Sequence, residues 1–328
     1  MTCRRPRTTW SHPVHDPSAC RRGRRRRSPA APGVLALVAA LAAGCAGGGA
    51  SPAAPSPSAA SPSPLPSGAP AADGFVVRAS WTQALPPRAL FDRLPVLVVT
   101  ADGRVLTPGA VVEIYPGPLV APIVERTITP AGVGALVAMA RDLGLLRADG
   151  DFTGGAAVPG GMSARLQVVV DGVTYELVGN ADAPGACPPG AACAEPEPGT
   201  PAAFATFWGR LLALSAWLAP ELGAEGPSAP RSYAIIVGPP PEAWPGAVPI
   251  VWPAIEPALD RFGSPVRGEA ATRCGIAGGD LAAALRPLLG RATTLTPFVA
   301  TPAASATHGL VVRPLLPGDE DPCAPLVE

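Results

Sequence analysis

The 328-residue chain contains no lysine: all 25 of its basic residues are arginine. It is nearly as poor in histidine, with three in all and only His308 after residue 45, and aromatic residues make up 5% of it. Without lysine there is no Gly-Lys-Ser/Thr phosphate loop, and the acidic residue in Gly278-Gly279-Asp280 would repel phosphate. A Ser-His-Asp hydrolase would have to use His308, and the Gly-x-Ser-x-Gly turn such enzymes need is missing. Gly161-Met162-Ser163-Ala164-Arg165 comes nearest, but it ends in arginine and leads into a strand. His308 therefore reads as an ordinary loop or strand-end residue before the last strand. Long apolar runs are also missing. The run at residues 34–43 is ten residues long, half of the roughly 20 that a membrane-spanning helix requires.

A net charge of zero conceals an asymmetry. Nine arginines precede Gly33 with one acid, Asp16, whereas from Cys45 onward 16 arginines face 24 acids, a net charge of −8. An acidic body of this kind is not a nucleic-acid binder. The basic stretch Arg21-Arg22-Gly23-Arg24-Arg25-Arg26-Arg27, the apolar run behind it and the closing Gly44-Cys45 have the layout of a signal peptide. Leu41-Ala42-Ala43-Gly44-Cys45 resembles the lipobox of bacterial lipoproteins, with Ala42 where that family more often has leucine. The resemblance implies diacylglyceryl transfer to Cys45 and removal of residues 1–44. Two acyl chains suffice for stable anchoring on the outer face of the cell membrane.

Residues 46–72 contain only Ala, Gly, Ser, Pro and one Leu, with seven prolines and no charge. Such a segment cannot bury enough apolar surface to offset its ordering entropy, so 45–72 is expected to be a lipidated, disordered tether. The cysteines agree with export. Cys187, Cys193, Cys274 and Cys323 form an even set in the remaining chain, which suggests two disulfides. Of the three possible pairings, Cys187 with Cys193 and Cys274 with Cys323 is the one favoured.

The rest reads as α+β, in two small antiparallel-sheet-plus-helix units at 73–225 and 226–328. In the first, strands are expected at 75–80, 96–100 and 105–106, with Asp102-Gly103 as the turn and 111–115 as an extension. A second hairpin turns at Asp171-Gly172. Thr129-Pro130 and Thr200-Pro201 pair an N-cap hydroxyl with proline at the first helical position. The second of these helices carries Phe204, Phe207, Trp208, Leu211 and Leu218. In the second unit, strands are expected at 232–237, 272–276 and 310–316, a short helix at 253–262, and a helix capped by Asp280.

Chemistry is sparse. The acidic candidates are Asp149 with Asp151, and Asp319-Glu320-Asp321; either could meet a cation through oxygen atoms, yet neither completes a calcium loop. No metal or cofactor is expected. Trp244 and Trp252, among prolines, form a candidate binding surface for an envelope protein or small molecule. The lipobox, the tether, the Thr-Pro helix followed by Gly144-Leu145-Leu146 and the ending Arg313-Pro314-Leu315-Leu316-Pro317-Gly318-Asp319-Glu320-Asp321-Pro322-Cys323 resemble those of secreted lipoproteins of high-GC Gram-positive bacteria. Residues 75–218 resemble emfourin-type metalloprotease inhibitors in order of elements. Three functions follow: a non-enzymatic, membrane-anchored binding or envelope lipoprotein, a protease inhibitor, and an envelope hydrolase built on acids.

Overall fold

Two antiparallel-rich sheets, each with helical cover, account for the chain in the computed structural model, which describes residues 74–111, 113–148, 150–155, 161–188 and 191–327. These residues belong to one compact unit, and the fold is α+β. The first sheet contains β1 (Phe75–Thr82), β2 (Leu97–Thr100), β3 (Arg104–Pro108), β4 (Ile123–Thr127), β5 (Asp151–Phe152), β6 (Ser163–Val170), β7 (Val173–Gly179) and β8 (Gly226–Ser228). Its spatial order is β5-β7-β6-β1-β2-β3-β4-β8. The second contains β9 (Tyr233–Gly238), β10 (Ile250–Val251), β11 (Ser264–Val266), β12 (Glu269–Ala277), β13 (Phe298–Val299) and β14 (Thr307–Pro314), in the order β10-β13-β14-β9-β12-β11.

Local chemistry sets the turns and helix starts. Asp171 and Gly172 both have positive φ, 50° and 78°, the geometry that joins β6 to β7 with the right twist. Of the helices α1 (Pro87–Leu90), α2 (Pro130–Asp142) and α3 (Pro201–Leu212), the last two begin as their Thr-Pro pairs dictate. Thr129 Oγ1 accepts from the Gly132 amide and Thr200 Oγ1 from the Ala203 amide, each at 3.2 Å. Both helices lie on one face of the first sheet. Leu136, Ala140, Phe204, Phe207 and Trp208 join Val77, Ala79, Leu166 and Leu177 in its core. The chain breaks at Ala213 before α4 (Leu214–Trp217), so the single helix expected through Leu218 is two. Trp217 Nε1 donates to the Arg210 carbonyl at 2.9 Å, occupying an acceptor that a continuing helix would use.

The second core gathers Tyr233, Ile235, Val237, Leu310 and Val312 with Leu281 and Leu285 of α5 (Gly279–Leu289). Gly278, not Asp280, occupies the N-cap, and no side chain caps this helix. The helix expected at 253–262 reduces to a 3-10 turn at Leu259–Arg261, because Pro253 and Pro257 supply no backbone donors and force their predecessors out of helical geometry. A short helix, α6 (Ala324–Val327), ends the described chain.

The two halves interlock. β8, which opens the second half, pairs with β4 and completes the first sheet. Of the strand expected at 111–115, the described residues 111 and 113–115 lie outside any strand, and the sheet is extended by β4 instead. The chain ahead of β4 continues into the second half's core. Leu119 is buried there, its amide donates to the Ala292 carbonyl at 3.0 Å, and Pro118 bridges to Thr293.

Candidate binding cleft

Alternation along β1 and β6 places Arg78, Ser80, Arg165 and Gln167 together on the face of the first sheet that α2 and α3 leave uncovered. Their register is Arg78 opposite Gln167 and Ser80 opposite Arg165. Glu176 of β7 organises the outer pair: its Oε2 accepts from Arg165 Nε at 3.0 Å and its Oε1 from Gln167 Nε2 at 2.6 Å. Opposite this ladder lie α1 and the segment that follows β14. Together they enclose a cleft of about 380 Å³.

The segment after β14 is held by one carboxylate. Asp319 Oδ1 accepts from Arg78 of β1 and, at 2.7 Å, from Arg313 of β14, and its Oδ2 accepts from the Leu316 amide at 2.8 Å. Arg78 also donates to the Gly318 carbonyl, and Arg313 donates to the Phe91 carbonyl at 3.3 Å. Asp319 is 1% exposed as a side chain, Arg78 12% and Arg313 11%. Strands from both sheets therefore meet on one buried anion. Gly318 has φ +77°, and a Cβ there would overlap the Phe75 ring, so glycine lets the segment lie against the first sheet. Leu316 enters a small core with Phe75, Val98, Leu106 and Ile123.

The Cys274–Cys323 disulfide fixes the far end of this segment, with Cα atoms 5.5 Å apart. Both sulfurs sit in an apolar cluster with Phe91, Ile236, Val266 and Leu326. Cys187–Cys193 is the second disulfide, Cα to Cα 5.9 Å. Burial pushes the Arg78 guanidinium below its ordinary pKa; Asp319 opposes the shift, while Arg313 and Arg165 add to it.

Trp244 is 42% exposed and meets Tyr115, 68% exposed, edge to face at 5.4 Å. The expectation that Trp252 shares this surface is corrected: its ring is 2% exposed, packs on Phe262, and its Nε1 donates to the Pro257 carbonyl at 3.2 Å. A buried indole with a satisfied N–H fills a core. Cys45 and Asp149 lie outside the described residues. Asp151 is exposed, accepts from the Thr153 amide at 2.8 Å, and that bond lowers its pKa. Of the acidic run, Asp319 is the buried clamp, Glu320 is exposed at the mouth, and Asp321 accepts from the Cys323 amide at 2.8 Å. Ser163 begins β6, and His308 lies in β14 opposite Phe298. Among the described residues, no group of three or more His, Cys, Asp or Glu is arranged to hold a metal ion, and no helix is long and apolar enough to cross a membrane.

The cleft's arginines were not singled out in the sequence. Arg78 and Arg313 each interrupt an apolar strand run, which is a readable sign, since buried arginine occurs only with partners. No family model, curated protein or solved structure matches the chain.

Proposed function

We propose that the protein is a lipid-anchored, extracytoplasmic binding lipoprotein, tethered through Cys45 and residues 46–72, of the secreted type that its lipobox and ending resemble. The observation that carries this reading is the pairing of all four cysteines beyond Cys45 in two disulfides, a state that persists in oxidising compartments. Binding in place of turnover at the cleft's floor is supported by the innermost of its three carboxylates. An acid-based hydrolase needs a carboxyl free to give or take a proton, and both oxygens of Asp319 are engaged by arginine and amide donors. The test is metabolic labelling with an alkyne fatty acid, followed by fractionation. The wild type is expected in the membrane fraction carrying label, and Cys45→Ala in unlabelled form away from it. Equal partitioning of both without label would refute the anchor.

A further inference from the structure

We infer that the cleft beneath the C-terminal segment is a binding site for a small, singly charged carboxylate with a short hydrocarbon part. Its floor is Arg78, Arg313 and Asp319, two cations and one anion, all nearly withdrawn from solvent. One positive charge is thus left over in a place where charge is costly to bury. A guanidinium carries five N–H donors. Arg78 donates to Gly318 and Asp319, and Arg313 to Phe91 and Asp319, while the Nε–H of each is buried without a protein partner. Both residues line the cleft with donor capacity remaining, and the planar guanidinium matches a carboxylate edge. Arg165 stands beside them at the wall, 42% exposed and paired with Glu176 through Nε and one terminal nitrogen, which leaves its other terminal nitrogen to donate.

The mouth narrows the choice of anion. Glu320 and Asp321 are exposed there. Both are solvated, so salt and water screen their field at the buried floor. One bound negative charge neutralises the floor, whereas a second would be buried without a partner beside them. A monoanionic carboxylate fits and a phosphate dianion does not. Leu90, Phe91, Pro322 and Pro325 supply apolar surface on the other side, which suits a short alkyl chain, and the volume lies in the ordinary range for small-molecule sites, about 300–1,000 Å³.

The inference rests on the function proposed above only in placing this cleft on the outside of the cell. Calorimetric titration of the full chain in a non-ionic detergent, at matched ionic strength, tests it with sodium butyrate, sodium phosphate and 1-butanol. Saturable butyrate binding is expected, with phosphate at least about tenfold weaker and no response to butanol. Arg165→Gln, which leaves the Asp319 clamp intact, is expected to weaken butyrate about tenfold, as for the loss of one charge-assisted hydrogen bond. The double change Glu320→Gln, Asp321→Asn is expected to narrow the gap between butyrate and phosphate. No saturable butyrate binding, phosphate binding as tight as butyrate, or an Arg165→Gln protein that binds as the wild type does would each overturn the site. Failure here leaves the anchor at Cys45 standing, and an unlabelled Cys45 leaves butyrate binding standing.

Discussion

The loop closed by Cys187–Cys193 and the tail held by Cys274–Cys323 carry the same covalent bond in unlike surroundings. The first spans six residues of separation, with Cys187 buried beneath α3 and Cys193 at the surface. Its neighbours are local: the Cys187 amide donates to Thr206 Oγ1 at 2.8 Å. The second spans 49 residues and joins β12 to the segment that bears Asp319. There the bond shares its task with an ion cluster that ties β1 to β14 and with the insertion of Leu316 into the first sheet's outer core. A crosslink over a short loop braces that loop alone. One over a long stretch, next to a buried charge, helps decide how the two sheets meet.

That contrast breaks most visibly at the clamp. Asp319→Ala would leave two guanidiniums buried without their anion, and roughly 3–5 kcal/mol of stability should be lost in denaturant melts. Replacing Cys274 and Cys323 together by alanine should cost about 4 kcal/mol on the loop-entropy account, and the same change at Cys187 and Cys193 about 2 kcal/mol. Equal losses for the two pairs would remove the distinction between them. A smaller effect is expected at Asp102. Although partial burial raises its pKa, hydrogen bonds from Thr100 and Arg104 outweigh it and hold the carboxyl below its ordinary value. Its stabilisation is present above the unfolded-state pKa and is lost as pH falls through the folded one. The gap between wild type and Asp102→Asn should therefore close below about pH 4. Least of all, Trp244→Ala on the surface should stay within about 0.5 kcal/mol, whereas Trp252→Ala in the core should cost about 3–5 kcal/mol.

Short-range chemistry is legible in the sequence. The Thr-Pro starts of α2 and α3 and the Asp-Gly turns need only residues three or four apart. Both starts form, Asp171-Gly172 takes the two-residue geometry with positive φ at each position, and at Asp102-Gly103 the chain turns with positive φ at Gly103 and not at Asp102. The two disulfides were readable because small loops and even counts limit the pairings. Long-range partners were not readable. Arg78 and Asp319 lie 241 residues apart, and nothing in either segment names the other. For the same reason Asp319 stands apart from Glu320 and Asp321 only once Arg78 and Arg313 are placed around it. Trp244 and Trp252 look alike in a Pro-rich stretch, yet only Trp252 meets Phe262 and a carbonyl for its N–H. Residues 111–115 have strand-like composition, but Leu119 carries the loop into the other half's core, and β4 takes the sheet position instead.

The proposed anchoring and oxidation are tested most directly by the intact mass of the protein isolated from cells in the presence of a thiol-alkylating reagent. The account predicts a chain beginning at Cys45 with a diacylglyceryl addition and no alkylated cysteine. A cytosolic chain that retains residues 1–44 and takes up the reagent at Cys187, Cys193, Cys274 and Cys323 would contradict it.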